Sequence, residues 1–160
     1  MSLKQQALTE LQSAHDYFNR STRNLTEAQS TFAPAEGMMT AAQQVAHAAH
    51  TIDWFIEGAF RPEGFDQNWE EQAKIIASQT SLEQARAWFE RAVANASEKV
   101  ASLSDADLLV AMPEGPIMGG VPRIAIFSAI NDHTAHHRGA LTVYARLNGI
   151  VPPMPYMETP

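Results

Sequence analysis

The stretch HTAHHRGA, His133 to Ala140, puts three of the chain's six histidines into five positions. At about 100° per residue along a helix, His133 and His137 fall on the same face as the apolar Ile130 and Leu141. Both imidazoles therefore point into the protein interior, where each needs a polar partner. One divalent cation would satisfy both at once, so the pair predicts part of a metal site whose third ligand comes from another helix.

Four long helices are predicted. Three begin with capping-box spacing, in which Ser or Thr is followed by Gln three residues later: Ser2 with Gln5, Thr40 with Gln43, and Ser81 with Gln84. Apolar residues at helical spacing carry these helices to about Arg23, Phe60 and Ser102. The fourth helix contains the histidine pair; Pro122 suits its first turn and Gly149 its end.

The connections between these helices are long. Residues 61–80 begin with turn residues and hold one short helix, whereas MPEGPIMGGVPR, Met112 to Arg123, is a loop because of its prolines and glycines. No strand is predicted. We therefore expect an all-α protein, a four-helix bundle with long crossover connections that forms a single domain over residues 1–160.

Composition excludes several classes of protein. The formal net charge of -7 disfavours a nucleic-acid partner, and no window is apolar enough for a membrane span. The chain has no cysteine, so a metal must be held by nitrogen and oxygen ligands. Without an apolar leader at the N-terminus, we expect a soluble, cytoplasmic protein with no membrane partner.

The second helix offers two candidates for the third ligand. His50 shares a polar face with Asp53 and Glu57, which favours solvent exposure. His47 lies on the flank between the polar and apolar faces, so the periodicity permits it to turn towards a neighbouring helix without requiring it. The pattern of residues leaves both histidines open.

Other metal and catalytic motifs are missing. The HExxH motif of zinc proteases would need glutamate at Thr134, and the ExxH pairs of di-iron bundles do not occur. Neither a phosphate-binding glycine loop nor a GxSxG nucleophile motif is present. The histidines therefore carry the strongest signal for chemistry.

Two longer stretches resemble the signatures of the DinB-like superfamily of helical-bundle metalloproteins. They are MTAAQQVAHAAHTIDWF, Met39 to Phe55, and DHTAHHRGALTVYARLNG, Asp132 to Gly149. In the family a histidine precedes a tryptophan by seven positions, which matches His47 and Trp54. The resemblance thus implies His47, His133 and His137 as metal ligands. The family often has glutamine where this chain has Ala140.

The resemblance also implies a range of activities. Relatives include S-transferases that use low-molecular-weight thiols, so we expect a metal-dependent enzyme that transfers a small-molecule thiol to an electrophile. Zinc and nickel suit three imidazole ligands with an open position. The alternatives are a metal-dependent hydrolase at the same site and a non-catalytic, metal-stabilised interaction protein; a homodimer is expected in either case.

Further residues could orient a ligand or line a pocket. Asp132 and His136 flank the histidine pair, and Arg138 could steer an anionic thiol or form a surface ion pair instead. His50 is a further candidate, with exposure to solvent as the alternative. The remaining candidates for the lining are Met38, Met39, Trp54, Tyr144 and residues 112–123, and for the Met and aromatic side chains packing in the core is the alternative.

Overall fold

The computed structural model describes residues 1–158 and contains only helices as regular secondary structure. Four are long: α1 (Leu3–Thr22), α2 (Ala41–Phe60), α4 (Leu82–Ala101) and α6 (Ala125–Leu147). Two are short: α3 (Trp69–Ala77) and α5 (Asp105–Leu109). The predicted all-α class and helical bundle are confirmed. Within the described part of the chain, no helix is both long enough and apolar enough to cross a membrane.

The predicted helix starts agree with the observed caps. Ser2, Thr40 and Ser81 each accept a hydrogen bond from the backbone N–H three residues later. Thr40 and Gln43 form the complete reciprocal box, because the Gln43 side chain also accepts from the Thr40 N–H. A cap of this kind stabilises a helix by about 1 kcal/mol, so the local sequence fixes where α1, α2 and α4 begin.

The long helices surround one core. Helices α1 and α2 each pack against both α4 and α6. Asp53 contacts Trp88, and Phe60 further along α2 contacts Lys99 further along α4, so α2 and α4 run in the same direction. Parallel neighbours cannot be joined by a tight turn. Residues 61–81, which include α3, therefore return along the length of the bundle and lie beside α2.

The long helices contribute side chains of different size to this core. Helix α2 contributes buried alanines at Ala41, Ala42, Ala46, Ala48, Ala49 and Ala59. The bulk comes chiefly from the other three long helices, where Phe18, Phe89, Phe127 and Tyr144 are at most 2% exposed. Because α2 buries small residues, neighbouring helices approach it closely, which places polar side chains of α2 within reach of α6.

The structure differs from the prediction ahead of the last helix. Pro122 does not occupy the first turn; it forms an isolated antiparallel bridge with Ala111, and α6 begins at Ala125. The amides of Arg123 and Ile124 donate to the carbonyls of Val110 and Leu108 and so are tied to the preceding chain, and tight turns from Pro122 and Arg123 lead into α6. Helix α5 was not predicted, although Ser104 is followed by Asp107 three residues later, which is the capping-box spacing seen at the other helices.

Candidate metal centre

Three histidines meet in the interface between α2 and α6. His47 comes from α2, and His133 and His137 lie one turn apart on α6. One nitrogen of each ring lies within 4.8 Å of those of the other two. The ring centroids are 4.5 Å apart for His133 and His137, and 5.1 Å and 4.8 Å from His47 to these two. The two α6 histidines and one histidine of α2 thus form a compact group that could hold a metal ion.

The spacing of the ring nitrogens fits a bound cation. Nε2 of His133 and Nε2 of His137 are 3.3 Å apart. Zinc–nitrogen bonds of about 2.0–2.1 Å at the tetrahedral angle place two ligand nitrogens about 3.4 Å apart. In addition, Nδ1 of His47 and Nδ1 of His133 are buried without a hydrogen-bond partner among the described residues. Neither ring is therefore held through Nδ1 by a hydrogen bond to a described residue, and the metal assignment rests on the spacing of the ring nitrogens.

A chain of hydrogen bonds fixes which nitrogen of His137 carries the proton. The Tyr144 hydroxyl donates to the Met39 carbonyl oxygen at 2.9 Å, and a carbonyl can only accept. With its single proton used, the hydroxyl accepts from the Gln44 amide nitrogen at 3.2 Å. The Gln44 carbonyl oxygen therefore faces Nδ1 of His137, which must donate to it. This leaves the lone pair of His137 on Nε2, the atom that faces His133.

Burial keeps these imidazoles uncharged at neutral pH. Desolvation, and next the neighbouring histidines, lower the pKa of His137 to about 3. The same causes lower the pKa of His133 to about 4, with a smaller opposing effect of Asp132. Desolvation also lowers the pKa of His47 below its usual value. At pH 7 all three rings therefore present lone pairs, the form in which histidine binds metals.

A cavity of about 430 Å³ adjoins the histidine cluster. Helices α2 and α3 and the chain before α2 form its wall, and His47 and His133 face it, whereas the buried His137 is not part of its lining. The lining residues are Gly37, Met38, Met39, Gln43, His47, His50, Thr51, Trp54, Phe55, Trp69, Gln72, Ala73, Ile76, Ala77 and His133. Its volume lies within the usual range for small-molecule sites, so a ligand could occupy it beside the cluster.

Several residues singled out from the sequence line this cavity. Met38, Met39 and Trp54 do so, and His50 does as well. His50 is half-buried and its ring meets the indole of Trp88 edge to face at 5.9 Å. Burial lowers its pKa, although Asp53, Asp66 and Glu57 oppose the shift. His50 therefore belongs to the cavity wall, and its side chain is less exposed than the polar face of α2 suggested.

Other candidates lie elsewhere. His136 and Asp132 are exposed, although the ring of His136 meets that of His137 at 4.9 Å. Arg138 lies over the rings of Tyr17 and Tyr156, beside a separate surface groove. Its position therefore favours the surface alternative over a role in steering a thiol. Residues 112–123, expected as possible lining, are not among the residues of the cavity wall; backbone hydrogen bonds close this loop on residues 110–112.

Two residues, Gln44 and Tyr144, are linked to the cluster by hydrogen bonds through His137, which does not line the cavity. Tyr144 is 2% exposed and packs in the core, as its helical position suggested, yet its hydroxyl also belongs to the hydrogen-bond chain that ends at His137. Gln44 was not recognised as a site residue from the sequence. It lies three positions before His47 on the same flank of α2, and this shared flank was the available signal.

A sequence model of the DinB family matches residues 1–159. The chain belongs to the DinB family. This match confirms the resemblance seen in Met39–Phe55 and Asp132–Gly149. Membership of the DinB family together with the three-histidine cluster fits a metal-binding protein. No functionally curated protein matches the chain significantly.

Solved structures share the fold. A conserved protein from Enterococcus faecalis is 16% identical, with a TM-score of 0.67 over 92% of this chain and 97% of that one. A DinB-like protein from Bacillus cereus is 21% identical, with a TM-score of 0.66 over 94% and 93%. A DinB-like protein from Bacillus subtilis is 19% identical, with a TM-score of 0.62 over 97% and 96%. At these identities the likeness supports the fold alone.

Proposed function

We propose that this DinB family member is a metal-dependent transferase that joins a small-molecule thiol to an electrophile. The observation that carries the proposal is the position of His47 and His133, which present uncharged imidazoles to a cavity large enough for a small molecule. Zinc or nickel is the expected ion, because both accept imidazole ligands. A cytoplasmic location and a homodimer remain predictions from the sequence.

The ligand residues have separate tasks. His47 and His133 would hold the ion at the edge of the cavity, and His137 would hold it from the buried side. Gln44 keeps the proton of His137 on Nδ1 and so directs the Nε2 lone pair to the site. A divalent ion with an open position supplies Lewis acidity, which favours the thiolate form of a thiol over the thiol.

The wall of the cavity suits the electrophile of the proposed reaction. Two of its polar side chains are engaged with the protein: the Gln43 amide donates to the Ala77 carbonyl at 3.1 Å, and the Gln72 amide donates to the Asp66 carbonyl at 3.0 Å. With these amides occupied, much of the remaining wall is apolar, which suits an organic electrophile.

The proposed transfer forms one bond to sulfur and breaks one bond to the leaving group. The thiol sulfur forms a bond to the electrophilic carbon, and the bond from that carbon to the leaving group breaks with its electron pair. The thiol proton passes to the imidazole of His50, which lines the cavity and whose pKa burial has lowered. His50 is therefore available as a neutral proton acceptor at pH 7.

The proposal can be tested by turnover of a panel of alkyl halides, epoxides and activated esters with and without added thiol. We expect product only with thiol, loss of activity on chelation, and recovery when zinc or nickel is restored. Turnover without thiol would instead identify a hydrolase. No turnover under any of these conditions, together with a lower melting temperature after chelation, would indicate a structural ion and contradict the proposal.

A further inference from the structure

We propose that the cavity beside the histidine cluster selects an uncharged, flat apolar group, and therefore that the electrophile is a neutral molecule with an aromatic or similarly planar portion. The choice of this molecule as the reacting one rests on the proposed function. The selectivity of the cavity rests on its wall alone and can be measured without any reaction.

An aromatic cluster forms one side of the cavity. The ring of Trp54 lies 5.8 Å from that of Trp69 and 5.1 Å from that of Phe55, and all three residues line the space. The Trp54 indole N–H donates to the Asp66 carbonyl at 2.8 Å, and Phe65 packs on its ring at 4.7 Å. Trp54 is therefore held in place and presents a preformed surface on which a planar group can stack.

Charge is missing from this wall. Among the lining residues, all of which lie in the described part of the chain, there is no Asp, Glu, Lys or Arg. A charged group on the ligand, placed against this wall away from the histidines, would lose part of its hydration without gaining an opposite charge, which is costly. Since the Gln43 and Gln72 amides already donate to backbone carbonyls, they would compensate little.

Trp69 provides a second reason to expect an apolar ligand. Its side chain lines the cavity but is 54% exposed, at the beginning of α3. A large apolar side chain left exposed beside a cavity is a common mark of a binding site, because a ligand can cover it. Trp69 and Trp54 contact each other, with ring centroids 5.8 Å apart, so together they form one continuous aromatic surface on which a planar group can lie.

The test uses two dyes that share one scaffold, the neutral N-phenyl-1-naphthylamine and the anionic 8-anilino-1-naphthalenesulfonate. Both become fluorescent in apolar surroundings, so their dissociation constants can be measured without substrate on protein freed of metal by a chelator, in which no bound cation faces the cavity. We expect the neutral dye to bind more tightly by about tenfold, because the sulfonate has no countercharge in the cavity.

Two pairs of variants assign this selectivity to the cavity. Trp69→Ala should weaken binding of the neutral dye by about threefold to tenfold through the lost aromatic contact, whereas Leu147→Ala, at an exposed position outside the cavity, should not. Ala73→Lys places a cation on the cavity wall and should bring the two dissociation constants close together, whereas Ala87→Lys on α4 should leave their ratio unchanged.

The result separates this inference from the proposed transfer reaction. Equal binding of the two dyes to the native protein, or an unchanged ratio in Ala73→Lys, would overturn the proposed selectivity even if thiol transfer is observed. A neutral preference that depends on Trp69 and Ala73 would support it even if no thiol-dependent turnover is found.

Discussion

The chain uses histidine in two opposite environments. His47, His133 and His137 lie against one another, with a glutamine amide as their closest polar contact. His15, in the interface between α1 and α4, instead has carboxylates on both ring nitrogens: Nδ1 lies 3.1 Å from Asp16, and Nε2 lies 2.7 Å from Glu90. Burial affects both groups, yet their pKa values shift in opposite directions.

The partners decide the difference. Burial alone lowers the pKa of every one of these histidines. At His15 the hydrogen bonds to Glu90 and Asp16 outweigh burial and raise its pKa, which favours the protonated ring beside the carboxylate of α4. In the cluster no carboxylate of the described residues accepts from the rings, and burial favours their neutral form. The partners of a histidine thus decide whether its protonated form or its neutral, metal-binding form is favoured.

The largest expected effect is loss of metal from His133→Ala. Native protein purified without nickel resin should hold close to one divalent ion per chain, and the variant should hold almost none, because two imidazoles bind far more weakly than three. His15→Ala is the matched control and should keep its metal. Metal content measured by mass spectrometry checks this; equal content in native protein and His133→Ala would contradict the assignment of the cluster.

A smaller effect is expected from the residues that orient His137. Gln44→Leu keeps the side-chain volume but removes the acceptor for Nδ1–H, so zinc affinity should fall by about 10- to 100-fold. Tyr144→Phe acts only through Gln44 and should lower the zinc affinity by less than Gln44→Leu does. Zinc affinities from competition with a chelator would show the order, with Gln12→Leu on the exposed face of α1 as control. A native affinity in Gln44→Leu would show that the hydrogen bond orients nothing.

The smallest effect concerns His15 and the pH dependence of stability. Because the folded pKa of His15 is raised above its unfolded value of about 6.5, its contribution is complete below that pH and is lost as pH rises through the folded pKa. The loss should be about 1 kcal/mol or less, since the pair with Glu90 is partly exposed.

Urea unfolding of metal-free protein at several pH values from 6 to 9 measures this contribution. His15→Gln should remove the decline in the free energy of unfolding, Glu90→Gln should reduce it because Asp16 still raises the pKa of His15, and the double variant should behave like His15→Gln. The cluster histidines, whose folded pKa values are lowered, act with the opposite sign and only below about pH 6.5. A decline that persists unchanged in His15→Gln would refute the cation at this position.

Local patterns predicted most of what depends on local contacts. The spacing of His133 and His137 placed both on the inner face of α6, and the caps at Ser2, Thr40 and Ser81 set the starts of three helices. Helical periodicity and capping act within a few residues, so a single sequence contains them.

Contacts between distant residues were out of reach. Periodicity barely distinguished His47, on the flank of α2, from His50, on its polar face, and the packing of α2 on α6 separates them in the structure. Gln44 meets His137 across 93 positions, and no local pattern records that contact. The start of α6 was predicted too early for the same reason, since Arg123 and Ile124 donate hydrogen bonds to the carbonyls of Val110 and Leu108.

The return of the chain between the parallel helices α2 and α4 has an evolutionary consequence. That connection carries α3, which supplies one wall of the cavity, while the three histidines stand on the long helices of the bundle. Insertions, deletions or substitutions in residues 61–81 can therefore reshape what the cavity admits without moving the histidines. A bundle built in this way can acquire new small-molecule preferences at little risk to its inorganic chemistry.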